Sequence, residues 1–257
     1  MALLLALTIA VAIALSLVPR FSQPLSYHDF ADQRSFLGIP RFADVISNLP
    51  FALVGLWGMI FILRTGHRSV VPFLDARERW PYLVAFVGIF LTAFGSAYYH
   101  LDPNNARLVW DRLPIMIAFT ATAAAMITER VSILVGRVLL PVLLALGISG
   151  VIQWYASEQR GIGDLRFYAA MQVGVTLVLL LVLLFPARYT RGSDLGIVVG
   201  LYALAKVFEL FDKPVFHATR WISGHTVKHL AAAAAGYWLL RMLQKRKVIL
   251  HATADQG

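Results

Sequence analysis

The sequence contains no cysteine and few charged residues for its length. Without cysteine the chain has no disulfide, no thiolate metal site and no cysteine nucleophile, so any metal must be bound by His, Asp or Glu. Charged residues make up 14% of the 257 residues, against about 25% in an average soluble domain. Hydrophobic residues make up 59%, which is too large a share for one water-soluble core. This composition indicates helices whose whole surface meets lipid or other helices.

Eight apolar runs account for the excess, and most approach the roughly 20 residues that a helix needs to cross a bilayer. β-Barrel strands would be about half as long and would alternate in polarity, which these runs do not. The runs are Ala2–Val18, Asn48–Leu63, Pro81–His100, Leu113–Thr128, Val131–Gln153, Phe167–Phe185, Leu195–Phe211 and Ile222–Leu240. We therefore predict an all-α fold, a polytopic transmembrane helical bundle.

The predicted bundle has seven core helices, within residues 20–247, and one extra helix before them. Residues 1–19 form this extra N-terminal transmembrane helix or an uncleaved signal, and residues 248–257 form a cytoplasmic tail. A cleaved signal peptide is the alternative for the first run. We favour a retained helix, because the run has no basic residues before it and no clear cleavage site of small residues.

The formal charge of +9 comes from Lys and Arg residues scattered over the short gaps between apolar runs. That pattern is typical of anchoring at lipid headgroups, so we expect the bilayer rather than nucleic acid as the partner. The basic C-terminal residues Arg241, Lys245, Arg246 and Lys247 place this end in the cytoplasm, most simply of a bacterial inner membrane. The opposite, outer loops then carry Arg20, Arg34, Arg41, Arg107, Arg112, Arg160, Arg166, Lys213 and Arg220.

Ionisable residues inside apolar spans usually have a partner or a function, and they occur here in three places. Ser96 and His100 lie four residues apart at the end of the third span, and Asp111 opens the fourth. His225 and His229 lie four apart near the start of the last span, a spacing that can chelate one metal ion. Alternating topology brings all three places to the same, outer face. Three histidines would leave one position open, as in catalytic zinc sites.

Each of these residues also has a simpler interpretation. Histidines near helix ends can meet headgroups or water, Asp111 could cap a helix, and Ser96 could bond its own helix backbone. Glu209 could form a structural ion pair with Lys206 or Lys213, and we assign it no catalytic role. The conjunction of residues is more informative than any one of them.

The loop before the second span contains Asp29, Asp32 and Asp44, on the same face as the predicted metal site. Carboxylates of this kind could hold calcium. The alternative is a solvated loop in which Asp44 caps a helix.

A Ser-x-x-x-His sequence, an Asp eleven residues beyond it and a late His-x-x-x-His together resemble the alkaline ceramidase family. The matching residues are Ser96, His100, Asp111, His225 and His229. The segment from Asp44 to Pro50 also looks like that family's start of the first core helix. The resemblance covers the chain from about Tyr27 onward, and the metal pattern extends to a wider superfamily that includes the adiponectin and progestin receptors.

The resemblance implies a seven-helix zinc amidase that cleaves ceramide into a sphingoid base and a fatty acid. His100, His225 and His229 would bind zinc, Asp111 would be the general base, and Ser96 would stabilise the oxyanion. Eukaryotic members also have a calcium loop before the first core helix. Arg41 stands here where a family glutamate would fall, so that calcium site is not expected, although Asp29, Asp32 and Asp44 remain candidates for a different one.

The leading hypothesis from sequence is therefore a zinc-dependent amidase acting on ceramide or a similar N-acyl lipid of the membrane. The runner-up is a seven-helix receptor or sensor that keeps the metal without turnover. A transporter would need polar residues at mid-bilayer in several helices, whereas those found here cluster at one face.

Overall fold

The computed structural model describes residues 17–65 and 72–249, together with Ala6, Ala10, Val11, Ile13 and Leu15. Over this part of the chain the fold is all-α, with two short 3₁₀ helices and no β-strand. Most of the predicted first span, Ala2–Val18, and most of the predicted tail, 248–257, lie outside the described residues.

The described residues form nine α-helices, which we number in chain order. They are α1 (Phe42–Ile46), α2 (Leu49–Thr65), α3 (Arg79–Leu101), α4 (Asn105–Arg130), α5 (Ile133–Gln159), α6 (Arg166–Val182), α7 (Asp194–Leu210), α8 (Asp212–Thr219) and α9 (Gly224–Lys245). The 3₁₀ helices are Leu25–His28 and Ala76–Glu78.

Each of the seven later apolar runs falls on one of these helices, from α2 to α7 and then α9. Four helical segments are long and apolar enough to cross a membrane: Phe42–Thr65, Ala76–Leu101, Asn105–Arg130 and Ile133–Gln159. The outer face of α5 shows the same character, since its exposed large side chains recur at every fourth residue: Leu134, Val138, Val142 and Leu146. An apolar stripe of this kind suits lipid rather than water.

Helix α4 begins earlier than the apolar pattern predicts, at Asn105 rather than Leu113. The side chain of Asn104 caps it by accepting a hydrogen bond of 3.0 Å from the backbone N–H of Arg107. Its first eight residues include Asn105, Arg107, Asp111 and Arg112, so hydropathy alone misses these two turns. Asp111 consequently lies within the helix and does not cap it, which excludes one of its simpler interpretations.

The short helix α8 was not predicted. It lies between the seventh and eighth apolar runs, in a stretch whose polar residues indicate a loop. The structure instead makes one compact helical connection, which ends at Arg220 in the left-handed conformation with φ 60°. This connection brings Asp212 next to the start of α9.

The helices pack mostly on their neighbours in sequence: α3 lies between α2 and α4, and α4 packs on α5. The C-terminal helix α9 packs on α7 and also reaches α2, so first and last parts of the bundle meet. Gly95 lets α3 and α4 approach closely, because a Cβ atom there would collide with the backbone carbonyl of Trp110. This close contact lies next to Ser96 on one helix and Asp111 on the other.

Candidate metal centre and its cavity

The three predicted histidines come together at one end of the bundle. The last turn of α3 supplies His100, and the first two turns of α9 supply His225 and His229. One ring nitrogen of each lies within 4.8 Å of the others, and together they could hold a metal ion. The side chains are almost completely buried, with exposed fractions of 1%, 3% and 3%.

The spacing of two of the rings fits a shared cation. The Nε2 atoms of His100 and His225 are 3.2 Å apart. Two nitrogens bound tetrahedrally to one zinc-sized ion, at about 2.0–2.1 Å each, would be about 3.3 Å apart. A hydrogen bond between the rings of His100 and His225 would explain why these two rings are close. It would not explain why the ring of His229 lies near both of them, whereas one bound cation would explain all three positions.

The tautomer of His229 follows from its hydrogen bonds. Ser47 Oγ lies 3.1 Å from the backbone carbonyl of Asp44 and 2.7 Å from His229 Nδ1. A hydroxyl has one proton to donate, and the carbonyl can only accept. Ser47 therefore donates to Asp44 and accepts from His229 Nδ1–H, which leaves the Nε2 lone pair of His229 free for a metal.

The segment that precedes α1, which we call the N-terminal loop, contacts His100 and His225. The ring of Phe30 packs edge-on against both His100 and His225, with centroids 4.6 and 4.4 Å away. Arg41 Nε donates to the carbonyl of His100 at 2.7 Å, and its Nη2 donates to the carbonyl of Leu101 at 2.9 Å. These bonds satisfy backbone carbonyls at the end of α3, which lack partners within the helix.

Asp212 fixes the start of α9. Its carboxylate accepts hydrogen bonds of 2.8 Å from the backbone N–H groups of His225 and Ala31. A negative charge at the first turn of a helix also interacts favourably with the helix dipole. The short helix α8 thus ties α9 to the N-terminal loop at the level of the histidines.

The predicted residues Asp111 and Ser96 lie in the wall of the cavity that His229 also lines. The Ser96 hydroxyl donates a hydrogen bond to the Asp111 carboxylate, so it is not used to bond its own helix. Both side chains are buried, and both line the same cavity as His229. The five residues predicted from the sequence pattern therefore lie in one region of the structure.

The cavity has a volume of about 400 Å³ and lies between α3, α4, α6, α7 and α9. Its wall follows α4 from Asp111 to Thr122, which corresponds to about 16 Å of helix. The end near the triad is polar. The other end is lined mainly by aliphatic and small side chains, among them Ile115, Leu179 and Leu239. The shape is that of an apolar channel that ends at a polar, histidine-bearing site.

Sequence reasoning missed a buried charge network on the same wall. Glu209 accepts hydrogen bonds from Lys228 Nζ at 2.7 Å and from the Tyr27 hydroxyl at 3.0 Å, and it is also paired with Lys206. The sequence predicted that Glu209 could pair with Lys206, but it did not predict the ion pair between Glu209 and Lys228. Its signal was its position between His225 and His229 on an otherwise apolar helix.

The candidate calcium ligands Asp29, Asp32 and Asp44 are not brought together in the described residues, where the histidines form the only such group. Each of the three carboxylates has partners of its own. Asp29 forms an ion pair with Lys213 at 2.5 Å, and Asp32 forms one with Arg34 at 2.6 Å. Asp44 accepts hydrogen bonds from the hydroxyls of Ser223 and Thr226 at 3.0 and 2.6 Å. Asp44 is fully buried and therefore not solvated, and it lies inside α1, whose N-cap position is Arg41.

No protein-family model matches the chain, and no curated protein matches it. The function therefore has to be inferred from the geometry of the site.

Proposed function

We propose that the protein is a zinc-dependent amidase that hydrolyses the amide bond of ceramide or a similar N-acyl lipid within the membrane. The observation that carries the proposal is the buried triad of His100, His225 and His229, of which His229 lines the polar end of a long apolar cavity. Asp111 and Ser96 in the same wall supply a carboxylate and a hydroxyl beside it.

The donor set favours zinc among the metals. Three imidazole nitrogens without thiolates, and with one tetrahedral position open, are typical of catalytic zinc sites. When bound, zinc supplies a water nucleophile at neutral pH and polarises a carbonyl oxygen. The hydrogen bond from His229 to Ser47 supports this use, because a proton on Nδ1 leaves the Nε2 lone pair of His229 free to bind a metal.

The surrounding residues fit the proton transfers that amide hydrolysis needs. The Asp111 carboxylate takes a proton from the attacking water as the new C–O bond forms. It then returns this proton to the amide nitrogen as the C–N bond breaks, and the products are a fatty acid and an amine. The Ser96 hydroxyl, held beside Asp111, can donate to the developing oxyanion.

The cavity matches an acyl chain from one leaflet. Its wall along α4 is about 16 Å long, close to half of the roughly 30 Å hydrocarbon core. Burial of a hydrocarbon chain against such a wall is favourable by roughly 25 cal/mol per Å². A lipid held in this way has its amide at the polar end, next to the histidines.

The proposal includes a bundle of seven core helices with an additional N-terminal helix. The basic residues that follow the apolar part of α9 support a cytoplasmic C-terminus, most simply at a bacterial inner membrane. The metal centre then lies near the outer face.

The test is a metal assay on purified protein combined with fatty-acid release from ceramide and other N-acyl lipids. We expect about one zinc per chain in the wild type. The variant His225→Ala should lose both zinc and hydrolysis, whereas the control His217→Ala, at an exposed position on α8, should keep both. Unchanged zinc in His225→Ala would contradict the site. Full zinc with no turnover on any N-acyl lipid would favour a metal-containing receptor instead.

A further inference from the structure

The described residues contain two buried arginines, and only one of them has a carboxylate partner. Arg246 is 5% exposed, and its Nη1 lies 2.5 Å from Glu129. Arg112 is 4% exposed and forms no ion pair with any described carboxylate. Asp111 precedes Arg112 in the chain and the two charges attract each other, but the hydrogen bond to Asp111 comes from Ser96 and no direct ion pair joins Asp111 to Arg112.

Neutral groups hold the Arg112 guanidinium in place. Its Nη2 donates to the side-chain oxygen of Gln23, and its Cζ lies 4.1 Å from the ring centroid of Trp154 and 4.4 Å from that of Tyr168. Aromatic faces stabilise a cation without neutralising it. Nη1 is buried and has no hydrogen-bond partner. The guanidinium is thus fixed in position while part of its hydrogen-bonding capacity is unused.

An unpaired buried charge is expensive, since the effective desolvation penalty is several kcal/mol per ion. The other charges in the cavity wall do not offset it. Lys206 and Lys228 share the single carboxylate of Glu209, so three cations face two carboxylates, those of Glu209 and Asp111. The polar end of the cavity therefore has a net positive charge before any metal binds, and an anionic ligand would balance it.

The position of Arg112 indicates where that anionic group lies. Asp111 and Arg112 are consecutive residues of α4, with Cα atoms about 3.8 Å apart, and both line the cavity. An amide placed at Asp111 for hydrolysis would have its nitrogen substituent close to the arginine. In an N-acyl amino acid this substituent carries a carboxylate one carbon away from the amide nitrogen.

We propose that Arg112 binds a carboxylate next to the scissile amide, so that the substrates are N-acyl amino acids rather than neutral ceramides. This inference rests on the proposed amidase function. Arginine suits the task because its planar fork of N–H donors matches a carboxylate. Hydrolysis would release the fatty acid and the free amino acid.

A matched pair of lipids tests the proposal. N-oleoylglycine and N-oleoylethanolamine share the acyl chain and the amide but differ in a carboxylate against a hydroxymethyl group. We expect the wild type to prefer N-oleoylglycine in kcat/KM by roughly 10- to 100-fold, the range expected for hydrogen bonds to a charged group. Arg112→Gln should lose this preference, mainly by slower hydrolysis of N-oleoylglycine. The control Arg107→Gln changes an arginine on the same helix that does not line the cavity and should keep the preference.

The outcomes separate this inference from the amidase function. If the wild type hydrolyses both lipids equally well, or if Arg112→Gln slows both by the same factor, the role of Arg112 is overturned while the amidase stands. If the wild type hydrolyses neither lipid, the amidase proposal fails.

Binding then decides the role of Arg112. Thermal stabilisation by N-oleoylglycine in the wild type but not in Arg112→Gln would support this role, and equal stabilisation of both proteins would overturn it. If Arg112→Gln does not fold, Arg112→Lys replaces it and should keep part of the preference.

Discussion

Replacing Ser47 by alanine should weaken metal binding while leaving the fold intact. Ser47 touches no metal, but its hydroxyl accepts the hydrogen bond from His229 Nδ1 at 2.7 Å. It also fixes the direction of this bond, because its own proton is donated to the carbonyl of Asp44 at 3.1 Å. The alanine variant removes the hydroxyl acceptor that orients the His229 ring, whereas the backbone carbonyl of Asp44, a second acceptor for this ring, remains.

The size of the effect follows from burial. Ser47 and His229 are 7% and 3% exposed, so bulk water has little access to the acceptor position. A buried donor without a partner costs about 1–3 kcal/mol, and about 1.4 kcal/mol corresponds to a factor of ten. The loss of a hydrogen bond behind a metal-binding histidine typically reduces metal affinity about 10- to 100-fold. Because the Asp44 carbonyl remains as a second acceptor, we expect the zinc Kd of Ser47→Ala to rise by about 10-fold, the lower end of this range.

The assay is a zinc titration of metal-free protein against a competing chelator, with thermal unfolding to check the fold. Thr92→Ala is the matched control, because its hydroxyl lines the same cavity but donates to the carbonyl of Gly88 in its own helix at 2.9 Å. It should bind zinc like the wild type. An unchanged Kd in Ser47→Ala would refute the role of Ser47 in orienting His229, and an equal loss in Thr92→Ala would show that the effect does not act through His229.

Two further changes test the packing that positions the site. Gly95→Ala should lower stability by about 1–3 kcal/mol and slow hydrolysis, because the added Cβ meets the carbonyl of Trp110 and separates α3 from α4. Gly200→Ala, with open space around it on α7, should be neutral or stabilising by up to ~1 kcal/mol, and equal thermal unfolding of both variants would contradict this. Arg246→Met should lower stability by about 3–5 kcal/mol by leaving Glu129 unpaired, and adding Glu129→Gln should restore part of it. If Arg246→Met unfolds like the wild type, the ion pair contributes nothing.

Apolar runs predicted the positions of the helices because lipid-facing and buried helices share the same excess of apolar residues. Helix ends were predicted less well where polar residues begin the helix. The start of α4 could have been found from Asn104, since an asparagine before a helix is a strong capping signal. The short helix α8 has no such signal: it forms where Asp212 binds both α9 and the N-terminal loop, and these contacts are distant in sequence.

The triad was predictable because histidines are rare in apolar helices and the i, i+4 spacing puts two of them on one face. The groups that support the triad were not predictable in the same way. Ser47 and Arg41 act on histidines that are far along the chain, so their roles depend on the packing of α1 and the N-terminal loop. Spacing within one helix carries no information about such contacts.

Arg112 shows how an error in a helix boundary conceals a buried residue of the cavity wall. With the fourth span starting at Leu113, Arg112 counts as one of several basic residues of an outer loop, where arginine anchors at headgroups. With α4 starting at Asn105, the same residue is inside the helix, buried and facing the cavity. The low share of charged residues in the chain makes this placement significant. Among the described residues, Arg112 is a buried arginine without an ion-paired carboxylate, and it lies in the wall of a cavity that Asp111 and His229 also line.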